Sequence, residues 1–122
     1  MEYKNDFRYD LKVGHKGERY LAAVLEGSTI EVKTDSWIAK TKRVAVEFES
    51  RGKPSGIATT EADYWCFIFN EIGAKKSFIM VDTDKLKDIS RRYWEMGSIK
   101  NMGDNNTSRA VMIPLCEFVF TL

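Results

Sequence analysis

Apolar residues recur along this chain in two periods, and the switches between them mark the expected elements. FRYDLKV (7–13) alternates as a short strand would. After a VGHKG turn, ERYLAAVLEG (18–27) takes helical spacing, with Leu21, Val24 and Leu25 at i, i+3 and i+4 and Gly27 as the stop. TIEVKTD (29–35) and RVAVEFES (43–50) return to alternation, and SWIAKTK between them reads as the connection of a hairpin. RGKPSGI (51–57) is a loop by its Gly and Pro content. TTEADYW (59–65) is a short helix candidate that Thr59 or Thr60 can cap. CFIFN (66–70) suits a strand buried on both faces, with SFIMVD (77–82) as its neighbour after the turn EIGAKK. TDKLKDISRRYWEM (83–96) is helical, with Leu86, Ile89 and Tyr93 on one stripe. KNMGDNNTS (100–108) is a polar loop, and RAVMIPLCEFVFTL (109–122) is strand-like with an edge, break or bulge at Pro114. The order predicts one domain over residues 1–122 of the α/β (α+β) class: a mixed central β-sheet flanked by helices.

Composition narrows the class. A chain of 122 residues, 43% apolar and 30% charged, suits one globular core. No apolar run reaches the roughly 18 residues of a membrane span. The polar start MEYKNDFRYDLK shows no secretory or transit signal, so the expected setting is cytoplasmic, without membrane partners. Cys66 and Cys116 lie in apolar runs with no CxxC partner, which predicts two buried, reduced thiols rather than a zinc site. A net charge of +1 does not announce a nucleic-acid partner. Basic clusters nevertheless occur at Lys40/Lys42/Arg43, Arg51/Lys53, Lys75/Lys76 and Arg91/Arg92. His15 is the sole histidine, which excludes any mechanism that needs two. Trp37 and Ile38 sit at the expected hairpin tip, where apolar side chains call for cover from the chain, a subunit or nucleic acid.

The acids alter this ordinary picture. Alternation puts Glu31, Lys33 and Asp35 on one strand face, and Glu47 and Glu49 on one face of the next. A hairpin turning near residue 40 brings Lys33 opposite Glu47 and Glu31 opposite Glu49. Ile30, Val32 and Thr34, with Val44, Val46 and Phe48, take the other faces. A half-exposed hairpin with cross-strand ion pairs explains such a face simply, at about 0.2–1 kcal/mol per pair. Four acids against one lysine fit that explanation poorly, because like charges repel across strands. Glu18 shares the Leu21/Leu25 stripe and would bring in another acid. A hard divalent cation removes the repulsion: Mg²⁺ (or Mn²⁺) takes carboxylate oxygens and keeps waters. Such an ion acidifies water and stabilises charge on a phosphoryl oxygen, and a lysine beside it steadies the transition state. Acids, one lysine and a hard metal together suit phosphodiester hydrolysis.

GHKGERYLAAVLE, IEVKTD and VAVEFESRGKPSGIATTEADYWCF carry a resemblance over residues 14–70. They resemble the PD-(D/E)XK nuclease superfamily, especially small phage-type and Holliday-junction-resolvase-like members. The resemblance implies a restriction-endonuclease-like core and Mg²⁺-dependent hydrolysis of DNA. It implies Glu18, Asp35 and Glu47 as metal ligands, as the helix acid, the strand Asp and the Glu of Glu-x-Lys. The position of the family lysine holds Glu49, a departure for which Lys33 is the candidate substitute. The rival alignment takes Glu31-Val32-Lys33 itself as Glu-x-Lys. Lys33, Glu49 and Glu31 are therefore the candidate catalytic positions. A homodimer is the fold-level expectation, since one small nuclease domain cuts one strand. A nuclease-like module that binds nucleic acid or protein without catalysis is the alternative.

Overall fold

The computed structural model describes residues 7–69 and 77–120, with side chains at 12–69 and 77–118. Helix α1 spans Phe7–Gly27, so residues 7–13, expected as a strand, open a helix instead. A helix satisfies its own backbone, whereas a strand there would need a neighbour. Gly14 and Gly17 are carried inside it at a cost of about 1 kcal/mol each. Of the expected stripe only Val24 is buried; Leu21 and Leu25 are about half exposed.

Strand β1 (Ile30–Asp35) leads through a short helix, α2 (Ile38–Thr41), into β2 (Arg43–Ser50). The two strands do not form the expected hairpin. β1 pairs in parallel with β4 (Tyr64–Phe69), Lys33 lying opposite Phe67, and β4 pairs antiparallel with β5 (Ser77–Asp82). β2 joins a separate antiparallel sheet between β3 (Lys53–Pro54) and β7 (Ser108–Pro114), with β6 (Ile99–Met102) at the far edge.

Local chemistry sends the chain from one sheet to the other. The Asp35 carboxylate accepts the Trp37 N–H at 2.8 Å, a turn that competes with strand continuation. Ile38 is then fully buried, and Lys42 ends α2 in the left-handed conformation. Of the two apolar residues expected at a solvent tip, Ile38 is therefore covered by the chain's own core, while Trp37 stays exposed. At the start of β1, the Thr29 N–H and hydroxyl both donate to Asp63, which pins β1 beside β4.

Residues 66–69 of the apolar run form, as expected, part of a central strand with β5 as its partner, and Asn70 lies outside the described residues. Its two faces differ, however: Trp65 and Phe67 are buried, while Cys66 and Ile68 are only partly so. The core gathers Trp65 and Phe67 with Val44, Val46, Val111 and Ile113 of the second sheet. Leu86 and Ile89 close it from α3 (Thr83–Glu95), the helix that leucine and isoleucine spacing foretold. Asp82 caps α3 by accepting the N–H groups of Asp84 and Lys85. The expected loop 100–108 contains the end of β6 and a 3-10 turn, and the last strand stops at Pro114 before α4 (Glu117–Phe120). Residues 71–76, expected as a turn, and 121–122 lie outside the described residues. The class is thus α+β, but with one mixed and one antiparallel sheet in place of a single mixed sheet. No helix among the described residues is long and apolar enough to cross a membrane. Cys66 is partly buried and burial pushes its thiol pKa up, whereas Cys116 is exposed, contrary to the expected core position.

Candidate functional site

β1 and β2 belong to different sheets, yet their charged faces meet at one cavity. Lys33 and Asp35 from β1 and Glu47 from β2 line about 320 Å³ of space, floored by Trp65 and Phe67. The pleat explains the choice of side chains. On β2, Val44 and Val46 go to the core, so Ala45 and Glu47 take the other face. On β1, Lys33 and Asp35 stand on the face opposite Val32.

Each group has defined partners. Lys33 Nζ lies 3.2 Å from Glu31 Oε1 and 5.8 Å from the Trp65 ring centroid. That ion pair is about half exposed, a setting worth roughly 0.2–1 kcal/mol. Asp35 Oδ1 accepts from the Trp37 backbone, and among the described residues Oδ2 takes no hydrogen bond. Glu47 Oε2 accepts the Ser55 hydroxyl at 3.1 Å. Gly56, next to Ser55, has φ +54° and packs on the Glu47 peptide: a Cβ there would lie 2.9 Å from the Glu47 carbonyl carbon and overlap its oxygen. The PSG turn thus holds the Glu47 backbone and carboxylate together.

The other expected site residues are placed elsewhere. β2 carries a bulge between Glu47 and Glu49: Glu47 pairs with Ala110, while Glu49 pairs with the very next residue back, Arg109. Neighbours on β7 point to opposite faces, so Glu49 leaves the face of Glu47. It lies 3.5 Å from Arg109 Nη1, whose guanidinium is 5.3 Å from the Phe48 ring centroid. The expected in-step Glu47/Glu49 face is corrected by this bulge. Glu31 does not line the cavity and touches it only through Lys33. Glu18 is exposed on α1 and is not among the lining residues.

The donor set fits a small hard cation. Two carboxylates at one open cavity are what Mg²⁺ takes from a protein when waters and phosphate oxygens complete its shell. Asp35 and Glu47 would hold it. Among the described residues no group of three or more His, Cys, Asp or Glu is arranged as a metal cage.

A second cavity, about 390 Å³, continues from the first, sharing Asp35, Trp37, Ala45 and Met102. Arg43, Lys100, Asn101 and Asn106 add polar and basic groups to it. No protein-family model, curated protein or solved structure matches the chain.

Several of these residues were not foreseen. For Ser55 and Gly56 the sequence signals only a loop, although Gly beside Pro and Ser is a turn signature that a close backbone approach also needs. Arg43 was noted as basic, but Lys100 and Asn101 were assigned to a loop, because β6 is a short, mostly polar edge strand with weak periodicity.

Proposed function

We propose that this protein is a metal-dependent endonuclease that hydrolyses phosphodiester bonds in DNA, with branched DNA of the phage replication and recombination type as its substrate class. The observation that carries the reading is the meeting of Asp35, Glu47 and Lys33 at one cavity from two different sheets. A half-exposed, ion-paired hairpin accounts for such a face only if the strands are paired, and they are not.

Asp35 and Glu47 would hold Mg²⁺ or Mn²⁺, which when bound would supply acidification of water and charge stabilisation at a phosphoryl oxygen. The chain does the rest. Ser55 and Gly56 fix Glu47, and the Trp37 N–H fixes one Asp35 oxygen, so both carboxylates are oriented before substrate arrives. The Lys33 ammonium, at the same cavity, orients the attacking water and balances negative charge developing on the phosphate. Glu31 keeps Lys33 in place, and Arg109 keeps Glu49 out of the way. Two copies acting together would cut both strands.

The test is cleavage of branched, linear and supercoiled DNA with Mg²⁺ or Mn²⁺, against chelator, for the protein and its Asp35→Asn variant. Metal-dependent cleavage lost in the variant is expected. No cleavage of any substrate at high protein concentration would remove the reading. One observation favours a second reading, binding without catalysis: Glu49 stands where the resemblance calls for lysine, and the substitute Lys33 is ion-paired to Glu31. Binding that persists in Asp35→Asn without any cleavage by either protein would establish that reading.

A further inference from the structure

Trp37 is 61% exposed although its neighbour Ile38 is fully buried. Lys40 Nζ lies 5.5 Å from its ring centroid, and among the described residues no aromatic ring stacks on it. Trp37 lines both cavities and so stands where they adjoin. Its backbone N–H is tied to Asp35, and Trp37 shares a cavity with Asp35, Glu47 and Lys33, so it stands beside the proposed metal position. The adjoining cavity carries Arg43 and Lys100 against one acid, Asp35, with the side-chain amides of Asn101 and Asn106 beside them. Cations that track a phosphate backbone, next to an open aromatic face, are the two parts of a single-strand binding site. A base paired within a duplex has no free face for an indole, so the platform selects an unpaired one.

We infer that Trp37 is a stacking platform for an unpaired base of DNA, with Lys40, Arg43 and Lys100 holding the flanking phosphates. This rests on the endonuclease reading for its placement and narrows the substrate to single-stranded segments, such as those exposed in forks and flaps.

The test separates the two. Binding of a labelled oligothymidylate and of a blunt duplex of equal length is measured by fluorescence anisotropy in chelator, where no cleavage occurs. The oligothymidylate binds the more tightly. Trp37→Ala weakens its binding by about 5- to 100-fold, and Trp37→Phe, which keeps a ring, by much less. Trp94→Ala, at the other exposed tryptophan, changes nothing. Thermal melts confirm that each variant is folded. Equal binding by Trp37→Ala and wild type, an equal loss in Trp94→Ala, tighter binding of the duplex, or no binding of either DNA overturns the inference. Intact Trp37-dependent binding with no cleavage in Mg²⁺ overturns the endonuclease reading alone.

Discussion

Gly56 supports Glu47 from behind, and adding one methyl group there tests how Glu47 is held. In Gly56→Ala the backbone stays at φ +54°, which costs an L-residue about 1–2 kcal/mol. The new Cβ overlaps the Glu47 carbonyl oxygen, lying 2.9 Å from its carbon and 3.2 Å from the Glu47 Cβ. These are backbone atoms and a strand Cβ, which cannot swing away as a flexible tip would. Overpacking of this kind costs about 1–3 kcal/mol. The sum, about 2–5 kcal/mol, is a large share of the roughly 5–15 kcal/mol that holds a domain folded. For this chain length about 3–5 °C of melting temperature goes with each kcal/mol, so Tm falls by at least about 6 °C. Gly52→Ala is the control: φ is +77°, but a Cβ meets nothing within 4 Å, so only the conformational cost remains. Thermal and urea unfolding of both variants measure the difference. Equal losses in the two would refute the close approach at Glu47.

The acids separate by variant. Glu47→Gln lowers metal-dependent cleavage by at least about 100-fold, while Glu49→Gln, which loses only a part-exposed pair with Arg109, costs at most about 1 kcal/mol of stability and leaves cleavage nearly intact; a nuclease assay beside a melt checks both. Asp82→Ala removes the acceptor of two α3 N–H groups and lowers stability by about 0.5–2 kcal/mol in urea unfolding. The Tyr93 hydroxyl donates to Glu117 at 2.8 Å, and that hydrogen bond, helped by burial, raises the Tyr93 pKa above 10. Its stabilisation is therefore complete below pH 10 and is lost as pH climbs through the raised folded-state value. Tyr93→Phe removes this alkaline loss, measured as Tm against pH.

Much of the fold was legible because periodicity reports burial. Phe67 in an apolar run, Leu86 and Ile89 on a helical stripe, and Val44 and Val46 on an alternating face all lie in the core, whereas Trp65, at the end of the expected helix 59–65, is a buried residue of β4 instead. Pairing was not legible. Residues 29–35 and 43–50 look like a hairpin because they are close in sequence and alternate in step. β1 pairs with β4 instead, and Asp63 bonds Thr29 across 34 residues, a contact that no local window contains. Alternation also failed at Glu49. A bulge is one extra residue, and it reverses every face assignment beyond it. Alternation set the faces of Lys33, Asp35 and Glu47, but their meeting at one cavity comes from the packing of two sheets, not from the hairpin that suggested it. The start of α1 is hidden in the sequence because FRYDLKV alternates and the glycines after it look like a turn, although both are accommodated in one helix.

The central claim is that Asp35 and Glu47 together hold a divalent cation. A crystal soaked in Mn²⁺ and measured for anomalous scattering tests it most directly. A peak is expected within bonding distance of both carboxylates and beside Lys33. A map with no peak there, at a Mn²⁺ concentration that supports cleavage, contradicts it.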